Sequence, residues 1–463
     1  MLVIAYIQQT DSFFNQEKLF HRLQLSYMKY KSYLRKLQKG KLFSAIYESG
    51  SVKSIIQSSA KIITVQVIAA FLLFANNYII IKLCDDRIYG SYVSLMAWVN
   101  FFSVIVVFGF DDYFIATIPK INSNRETRVL PVLLRSLVIL LINFFLLTIV
   151  LAILIYSNFF EQALRQNEIY FFLLLLEVSV LSILIAFFRG INKIVFGQVI
   201  DKLFRPGLMI LFTVLVFMIS RKLNLSLILL MQVIVLLTAI IFLCVQLKRI
   251  FPSFHLPANI FDKSLKINAA FLLISILNLL SVRLDILFLT KTVLPEQVGY
   301  YNLGVRMADV IGFPLAAMNL VVPTILSKES ANNSFNIKKI IGNTSLIAFI
   351  TTLIIYLPVV FLGRYVLSLF GKHFIHGYWP MVILGGTYLI SSFSHQMNGY
   401  LMISGNQNYS LICLIINVLS VFIFCWLLIP ASGLIGAAFS VLLGSIIYFI
   451  AIVIVYRKVV AQI

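Results

Sequence analysis

Apolar runs of membrane-spanning length follow one another along most of this chain, separated by short polar segments. An α-helix needs about 20 predominantly apolar residues to cross the hydrocarbon core of a bilayer. The pattern predicts a series of such spans at residues 58–82, 90–117, 129–157, 169–188, 199–220, 225–246, 264–290, 299–324, 338–362, 380–403, 408–429 and 433–456. We therefore expect an all-α polytopic membrane protein with about twelve transmembrane helices.

The composition supports this prediction and argues against a soluble enzyme. The chain is 61% hydrophobic and only 12% charged, whereas about a quarter of the residues in soluble domains are charged. Its four cysteines and five histidines form neither CxxC nor HExxH spacing, so we expect no metal site and no cofactor. The loops are too short to hold a catalytic domain, and we expect no catalytic residues.

The formal net charge is +20, and the positions of the charged residues along the chain are more informative than the total. Lys and Arg concentrate in the N-terminal segment and in alternate loops, as the retention of positive charge on the cytoplasmic side produces. This asymmetry predicts that both termini are cytoplasmic. Because topology accounts for the charge, we expect no nucleic-acid partner.

The spans divide the chain into two halves with a basic extension. We predict a cytoplasmic N-terminal extension at residues 1–57, a first six-helix half at 58–247, a cytoplasmic linker at 248–263 and a second half at 264–463. The extension mixes apolar and basic residues, which suits a helix on an anionic membrane surface. A disordered basic arm is an equally good interpretation.

The two halves share a short sequence pattern. When the first two spans are laid over the seventh and eighth, Gly90 and Tyr92 fall on Gly299 and Tyr301. Six spans in each half give both halves the same orientation in the membrane, an arrangement known in transporters with the substrate site between the repeats. The alternative is a chance match between apolar segments.

Several of these motifs occur together in one known family. The GSY and GYY elements, RLD at 283–285, LFGKHF at 369–374 and LLIPASGLIGAAFS at 427–440 resemble motifs of the polysaccharide exporter family, the Wzx-type O-antigen flippases. The resemblance covers about residue 50 to the C-terminus. Its superfamily includes the multidrug and toxin extrusion (MATE) transporters and the peptidoglycan lipid flippases, so the resemblance implies a MATE-like fold.

The resemblance also implies a function. Members of this family export an undecaprenyl-diphosphate-linked oligosaccharide from the cytoplasmic to the outer leaflet of the bacterial inner membrane, for surface polysaccharide such as O-antigen or capsule. It therefore implies a lipid-linked oligosaccharide as the substrate, contact with membrane lipids and polysaccharide polymerases as possible partners.

Charged residues within spans are costly, so each is a candidate for function. Arg283 and Arg306 lie about equally far from a turn near Leu294, which predicts a similar depth for both. Two guanidiniums at one depth suit a pyrophosphate, because each forms bidentate hydrogen bonds. The alternative is that they pair with nearby acids, as Arg306 would with Asp309 at i, i+3.

Other basic residues lie near cytoplasmic helix ends. They are further candidates for receiving the pyrophosphate, although side chains that reach to the membrane interface explain them adequately. These residues are Lys61, Arg135, Lys202 and Arg205.

Acidic residues within spans are candidates for coupling transport to an H⁺ or Na⁺ gradient. Glu177 has no Lys or Arg within a helical turn, whereas Asp112 and Asp309 are alternatively salt-bridge partners. The coupling candidates are Asp111, Asp112, Glu177, Asp285 and Asp309, and a further acid, Asp201, lies at the start of the fifth span.

Two rival functions follow from the same pattern. A multidrug and toxin extrusion antiporter would need an acidic or neutral cavity for organic cations, which Arg283 and Arg306 disfavour. A membrane polysaccharide polymerase would need a large outer loop with catalytic residues, and the sequence has none of that length.

Overall fold

The structure of the protein is a computed structural model. It describes residues 50–118, 125–157, 159–191, 193–220, 223–251, 264–316, 318, 319, 322 and 337–460. Nearly all of these residues are helical, and none of them forms a β-strand. The predicted N-terminal extension lies outside the described residues up to residue 49, and so does the linker from residue 252 to 263.

Among the described residues, the first half contains nine α-helices and one π-helical segment, and seven of these α-helices correspond to predicted spans. In chain order they are α1 (Gly50–Leu83), α2 (Asp86–Val107), α3 (Phe110–Thr117), α4 (Arg125–Tyr156), α5 (Gln162–Gln166), α6 (Glu168–Gly190), α7 (Ile194–Val199), a π-helical segment (Ile200–Phe204), α8 (Arg205–Ser220) and α9 (Leu225–Ile250).

 The second predicted span is divided between α2 and α3, which is why six predicted spans correspond to seven of these helices.

In the second half, five α-helices have both of their ends among the described residues. They are α10 (Ser264–Thr292), α11 (Pro295–Ile311), α12 (Ile337–Phe370), α13 (Tyr378–Ile403) and α14 (Gln407–Val460), with a 3₁₀ turn at Lys372–Gly377. The turn between α10 and α11 falls at Leu294, where the sequence predicts it.

Nine helices of the described residues are long and apolar enough to cross a membrane. The ninth, α14, consists of two helices that meet at Gly433, where the backbone leaves the helical region (φ 53°, ψ −124°), and these two helices hold the eleventh and the twelfth predicted spans. The tenth predicted span forms α13, whereas the eighth, predicted at 299–324, is not one helix, because α11 ends at Ile311. These two helices are more polar, since they bury residues such as Asn302 and Gln396 inside the bundle.

The second predicted span is not one helix, so the prediction of a continuous span at 90–117 is wrong. Phe108 and Gly109 both have left-handed backbone (φ 55° and 72°), which ends α2 and starts α3. A Cβ on Gly109 would lie 2.4 Å from the backbone nitrogen of Leu272 in α10. The break therefore lets α3 approach the second half, and Asp111 and Asp112 lie on this short helix.

The fifth predicted span also departs from a regular helix. Its chain widens into the π-helical segment Ile200–Phe204 just before Pro206. Proline has no N–H to donate to the carbonyl four residues earlier, and its ring crowds that carbonyl. Such π-helical segments are frequent at functional sites, and this one contains Asp201 and Lys202.

The helices α2 and α11 cross at the two glycines that the sequence pairs. A Cβ on Gly299 would lie 3.3 Å from the Cα of Gly90, and a Cβ on Gly90 would lie 1.7 Å from the carbonyl oxygen of Pro295. Next to this crossing, Tyr300 donates a hydrogen bond of 2.8 Å to Asp86. The two glycines that the sequence pairs are therefore in direct contact across the two halves.

The outer faces of the bundle carry large apolar side chains. Phe71, Phe361 and Trp426 are 75%, 79% and 67% exposed. Exposed apolar surface on this scale is rare in soluble proteins, and hydrocarbon is the solvent that stabilises it. The chain is a multi-pass membrane protein.

Candidate functional site

A cavity of about 860 Å³ lies between the two halves. The first half contributes α1, α2, α6, the π-helical segment, α8 and α9, and the second half contributes α10, α11 and α13. On α2 and α11 the lining begins just past the crossing at Gly90 and Gly299 and continues toward the C-terminal ends. These are the ends that the charge pattern predicts to be cytoplasmic.

The charged side chains that line this cavity come from both halves. Among the described residues they are Asp201, Lys202, Arg205, Arg283, Arg306 and Asp309. Five of these six residues were selected from the sequence as candidates. The cavity therefore gathers residues that are about 100 positions apart in the chain.

Asp309 is the partner of both arginines in the second half. Its Oδ2 lies 3.0 Å from Nη2 of Arg283 and 3.8 Å from Nη1 of Arg306. The hydroxyl of Tyr388 donates a 2.8 Å hydrogen bond to Oδ1 of the same carboxylate. Both guanidiniums reach one carboxylate, so they lie at similar depth, as their spacing from the turn predicts.

This arrangement combines the two interpretations of the arginines that the sequence leaves open. One carboxylate neutralises one positive charge, so a second charge is left over from the pair. The side chains of Arg283 and Arg306 are 26% and 36% exposed, with Arg306 the more open and the more distant from the acid. Each guanidinium has five N–H donors, and donors remain for a ligand in the cavity.

A second charged group lies on the first-half wall. Arg205 donates to Asp201 at 2.7 Å, an i, i+4 pair that spans the junction between the π-helical segment and α8. Lys202 lies beside this pair and also lines the cavity. Over the whole lining, four cations face two carboxylates, which leaves a net charge of +2.

Asp285 lies close to this site but is not part of the lining. It is 2% exposed, accepts a 2.8 Å bond from the backbone N–H of Ile286, and accepts a hydrogen bond from the hydroxyl of Tyr301. These contacts satisfy the carboxylate inside the second half. Asp285 thus stabilises the packing of α10 against α11.

The remaining acidic candidates are all in the first half, outside the lining. Asp112 accepts a 3.0 Å hydrogen bond from Ser275 of α10, so it connects the two halves. Asp111 has a buried Oδ1 without a hydrogen-bond partner in the described part of the chain. Glu177 is 8% exposed and its Oε2 likewise has no partner there.

Two of the basic candidates are placed differently. Arg135 lies on α4 and does not line the cavity. Lys61 belongs to α1, but its side chain is outside the described residues.

Sequence reasoning missed the neutral polar residues of the site. Tyr388 holds Asp309, and Tyr92 donates a 3.3 Å hydrogen bond to Gln232 within the first half. Near the crossing of α2 and α11, the side-chain amide of Asn302 donates a 3.2 Å hydrogen bond to the hydroxyl of Tyr89. The signal in the sequence was the low hydropathy of the eighth and tenth spans, because polar residues in such helices face the interior of the bundle.

Another contact between the halves lies at the C-terminal end of α10, next to the segment that connects α4 to α6. The ammonium of Lys291 lies 3.5 Å from the centroid of the Phe159 ring and 4.9 Å from that of Phe160, and it donates to the Phe159 carbonyl. Burial raises the pKa of the neighbouring Glu161 to about 7, and the charge of Lys291 opposes this shift. A cation over aromatic faces contributes about 0.5–2 kcal/mol.

Comparison with solved structures identifies the fold. A MOP superfamily transporter from Pyrococcus furiosus aligns with a TM-score of 0.63 at 15% identity, over 88% of this chain and 96% of that one. The chain has the MOP transporter fold. An inward-facing MATE family transporter gives a TM-score of 0.65 at 14% identity, over 84% of this chain and 95% of that one.

The same MOP fold includes a lipid flippase. The lipid II flippase MurJ, in an inward closed conformation, aligns with a TM-score of 0.66 at 13% identity over 85% of this chain and 87% of that one. No protein-family model and no curated protein matches the sequence. The fold class predicted from the sequence, a helical bundle of the MATE and MOP type, is confirmed.

Proposed function

We propose that this protein is a flippase that carries an undecaprenyl-diphosphate-linked oligosaccharide from the cytoplasmic to the outer leaflet by alternating access. The observation that carries the proposal is the net positive charge of the cavity between the halves. A pyrophosphate head group needs fixed cations in order to leave water and pass the middle of the bilayer. The polyprenyl tail remains in lipid throughout.

The site suits an anion better than a cation. Each carboxylate of the lining is already bonded to an arginine, Asp309 to Arg283 and Asp201 to Arg205. An organic cation would have to compete with these pairs and approach two surplus positive charges. A pyrophosphate would instead gain charge-assisted hydrogen bonds from Arg306 and Lys202 without displacing a stronger contact.

The comparisons support transport within this fold and leave a range of substrates open. The P. furiosus transporter is described as having a binding pocket of reverse polarity, and MurJ is a flippase for lipid II. For the P. furiosus transporter, the polarity of the pocket is linked to a different function, and our proposal draws the same kind of link from the cavity charge of this chain. The resemblance to O-antigen flippases supplies the oligosaccharide and the surface-polysaccharide role in this proposal.

We place ion coupling at Glu177. An unpaired charge inside the membrane costs several kcal/mol, and Oε2 of this carboxyl has no partner among the described residues. Exchange of a proton at Glu177 would therefore change the stability of the first half by a large amount. Replacement of Glu177 by Gln should abolish the response of transport to a proton gradient. Exchange of the lipid between the two leaflets at equilibrium should be retained.

The transport test uses the purified protein in liposomes that contain a fluorescent undecaprenyl-diphosphate-linked sugar. Reduction of the fluorophore by external dithionite reports how fast the head group changes leaflet. We expect Arg306→Ala to slow this step about 10- to 150-fold, because a hydrogen bond to a charged group contributes about 1.5–3 kcal/mol. Arg364→Ala is the matched control, since Arg364 is exposed on α12 and outside the lining.

Two outcomes would contradict the proposal. Equal rates for Arg306→Ala and Arg364→Ala would remove the cation site from the mechanism. Transport of an organic cation such as ethidium, without movement of the labelled lipid, would favour the multidrug antiporter.

A further inference from the structure

A second, smaller pocket lies far from the central cavity, at one end of the second half. It has a volume of about 370 Å³. Three helices form it: the beginning of α12, the later turns of α13 and the last turn of α14. All three contribute the ends that the charge pattern predicts to be cytoplasmic, so the pocket lies at the depth of the membrane interface.

The pocket wall is mostly apolar. Hydrocarbon is the natural occupant of such a surface inside a membrane, because water would leave the apolar atoms unsolvated. The apolar and aromatic side chains of the lining are Ile341, Phe393, Met397, Tyr456 and Val460.

Two polar residues of the lining point to an occupant that is not purely hydrocarbon. Ser345 is 1% exposed, and its hydroxyl has no hydrogen-bond partner in the described part of the protein. Arg457 is exposed at the rim and forms no ion pair with any described residue. No acidic residue is present among the described residues that line the pocket.

This combination matches one class of membrane molecule. An anionic phospholipid has a phosphate that accepts hydrogen bonds from a guanidinium, ester oxygens that accept from a hydroxyl, and an acyl chain for the apolar wall. Basic pockets between transmembrane helices on the cytoplasmic side bind anionic head groups in this way. A zwitterionic lipid also carries a phosphate, but its own ammonium group compensates that charge, so its attraction to Arg457 is weaker than that of an anionic lipid.

The opening of the pocket is kept clear by Gly342. A Cβ at this position would meet no atom of the protein within 4 Å. A large side chain could therefore enter the pocket from α12 without clashing with its surroundings. Gly399 of α13 offers the same free space but does not line the pocket.

We propose that this pocket is a binding site for one anionic phospholipid, with its phosphate on Arg457, an ester oxygen on Ser345 and an acyl chain along Phe393 and Met397. The site is separate from the central cavity and does not depend on what that cavity transports. Its occupant stabilises the contact of α12, α13 and α14.

The test measures bound lipid by native mass spectrometry of the full-length protein in detergent with added phosphatidylglycerol. We expect Arg457→Ala to reduce the lipid-bound fraction about tenfold, as the loss of a charge-assisted hydrogen bond predicts. Lys458→Ala is the control, because Lys458 is an exposed neighbour outside the lining. Gly342→Phe should abolish binding, and Gly399→Phe should leave it unchanged.

Binding of different ligands tests which class of lipid the pocket accepts. Phosphatidylcholine should bind at least tenfold more weakly than phosphatidylglycerol, and soluble glycerol phosphate should not displace the lipid. Undiminished phosphatidylglycerol binding in Arg457→Ala and Gly342→Phe would overturn the site, and so would equal losses in the two glycine variants. Equal binding of phosphatidylcholine, or displacement by undecaprenyl phosphate, would overturn the assignment to an anionic phospholipid.

Discussion

The crossing of α2 and α11 makes Gly90 the position where a single methyl group should have the largest effect. A Cβ there would lie 1.7 Å from the carbonyl oxygen and 2.2 Å from the carbonyl carbon of Pro295. Ordinary contacts between such atoms are about 3.5 Å, so the helices must separate by about 1.5 Å or more. Both atoms belong to the backbone of α11, and no side-chain rotation can relieve the overlap.

We expect Gly90→Ala to destabilise the crossing of α2 and α11 by about 1–3 kcal/mol, the usual cost of overpacking. At 1.4 kcal/mol for each factor of ten, that shifts the equilibrium between closed and open crossings by about 5- to 150-fold. Gly399→Ala is the control, because it makes the same substitution in a helix where a Cβ has free space. The comparison removes the general gain of alanine over glycine in a helix.

Two measurements check this expectation. The melting temperature of Gly90→Ala should fall below that of Gly399→Ala. A cysteine at Asn302, just past the crossing, should become more reactive with an impermeant maleimide added from the outside, in a background without the native cysteines. The reasoning is refuted if the two glycine variants have the same melting temperature and the same labelling rate.

Two more predictions concern charged groups. Asp309→Asn removes the carboxylate that Arg283 and Arg306 share. Because these side chains are partly exposed, the cost should be about 1–3 kcal/mol, below the about 3–5 kcal/mol of a fully buried pair. Added pyrophosphate should raise the melting temperature of this variant more than that of the parent protein, and an equal effect on both would contradict this. Burial raises the pKa of Glu161 from 4.5, its value in the unfolded chain, to about 7 in the folded protein. The neutral carboxyl therefore contributes fully to stability below pH 4.5, and this contribution is lost as the pH rises through about 7. After a discount for solvent exposure we expect about 1 kcal/mol, seen as a larger fall in melting temperature between about pH 5 and about pH 8 for the parent than for Glu161→Gln; parallel curves would contradict it.

Most of the helices could be predicted from the sequence, because the demand for about 20 apolar residues per span is local. The turn at Leu294 is an example, since a polar stretch with a proline separates two apolar runs there. The break at Phe108 and Gly109 could not be predicted in the same way. A single glycine in an apolar run is compatible with an unbroken helix, and only the approach of α10 to Gly109 shows why the chain bends there.

The charged part of the site was partly predictable. Isolated charges in apolar spans identified Arg283, Arg306 and Asp309, because each would be costly in lipid. Tyr388 could not be identified, since a tyrosine in a span also fits the membrane interface or the packed interior. Its role depends on the distance to Asp309 across two helices, which spacing within one helix does not determine.

The sequence by itself determined the membrane class, the approximate spans, the paired glycines of the two halves and the charges that must avoid lipid. These are local properties, because the bilayer acts on each segment in the same way wherever that segment packs. The tertiary structure alone decided that Asp309 neutralises only one of two arginines and that Arg205 and Lys202 face the same cavity. Pairing between side chains that are about 100 residues apart is fixed by helix packing, and no local pattern in the chain encodes those distances.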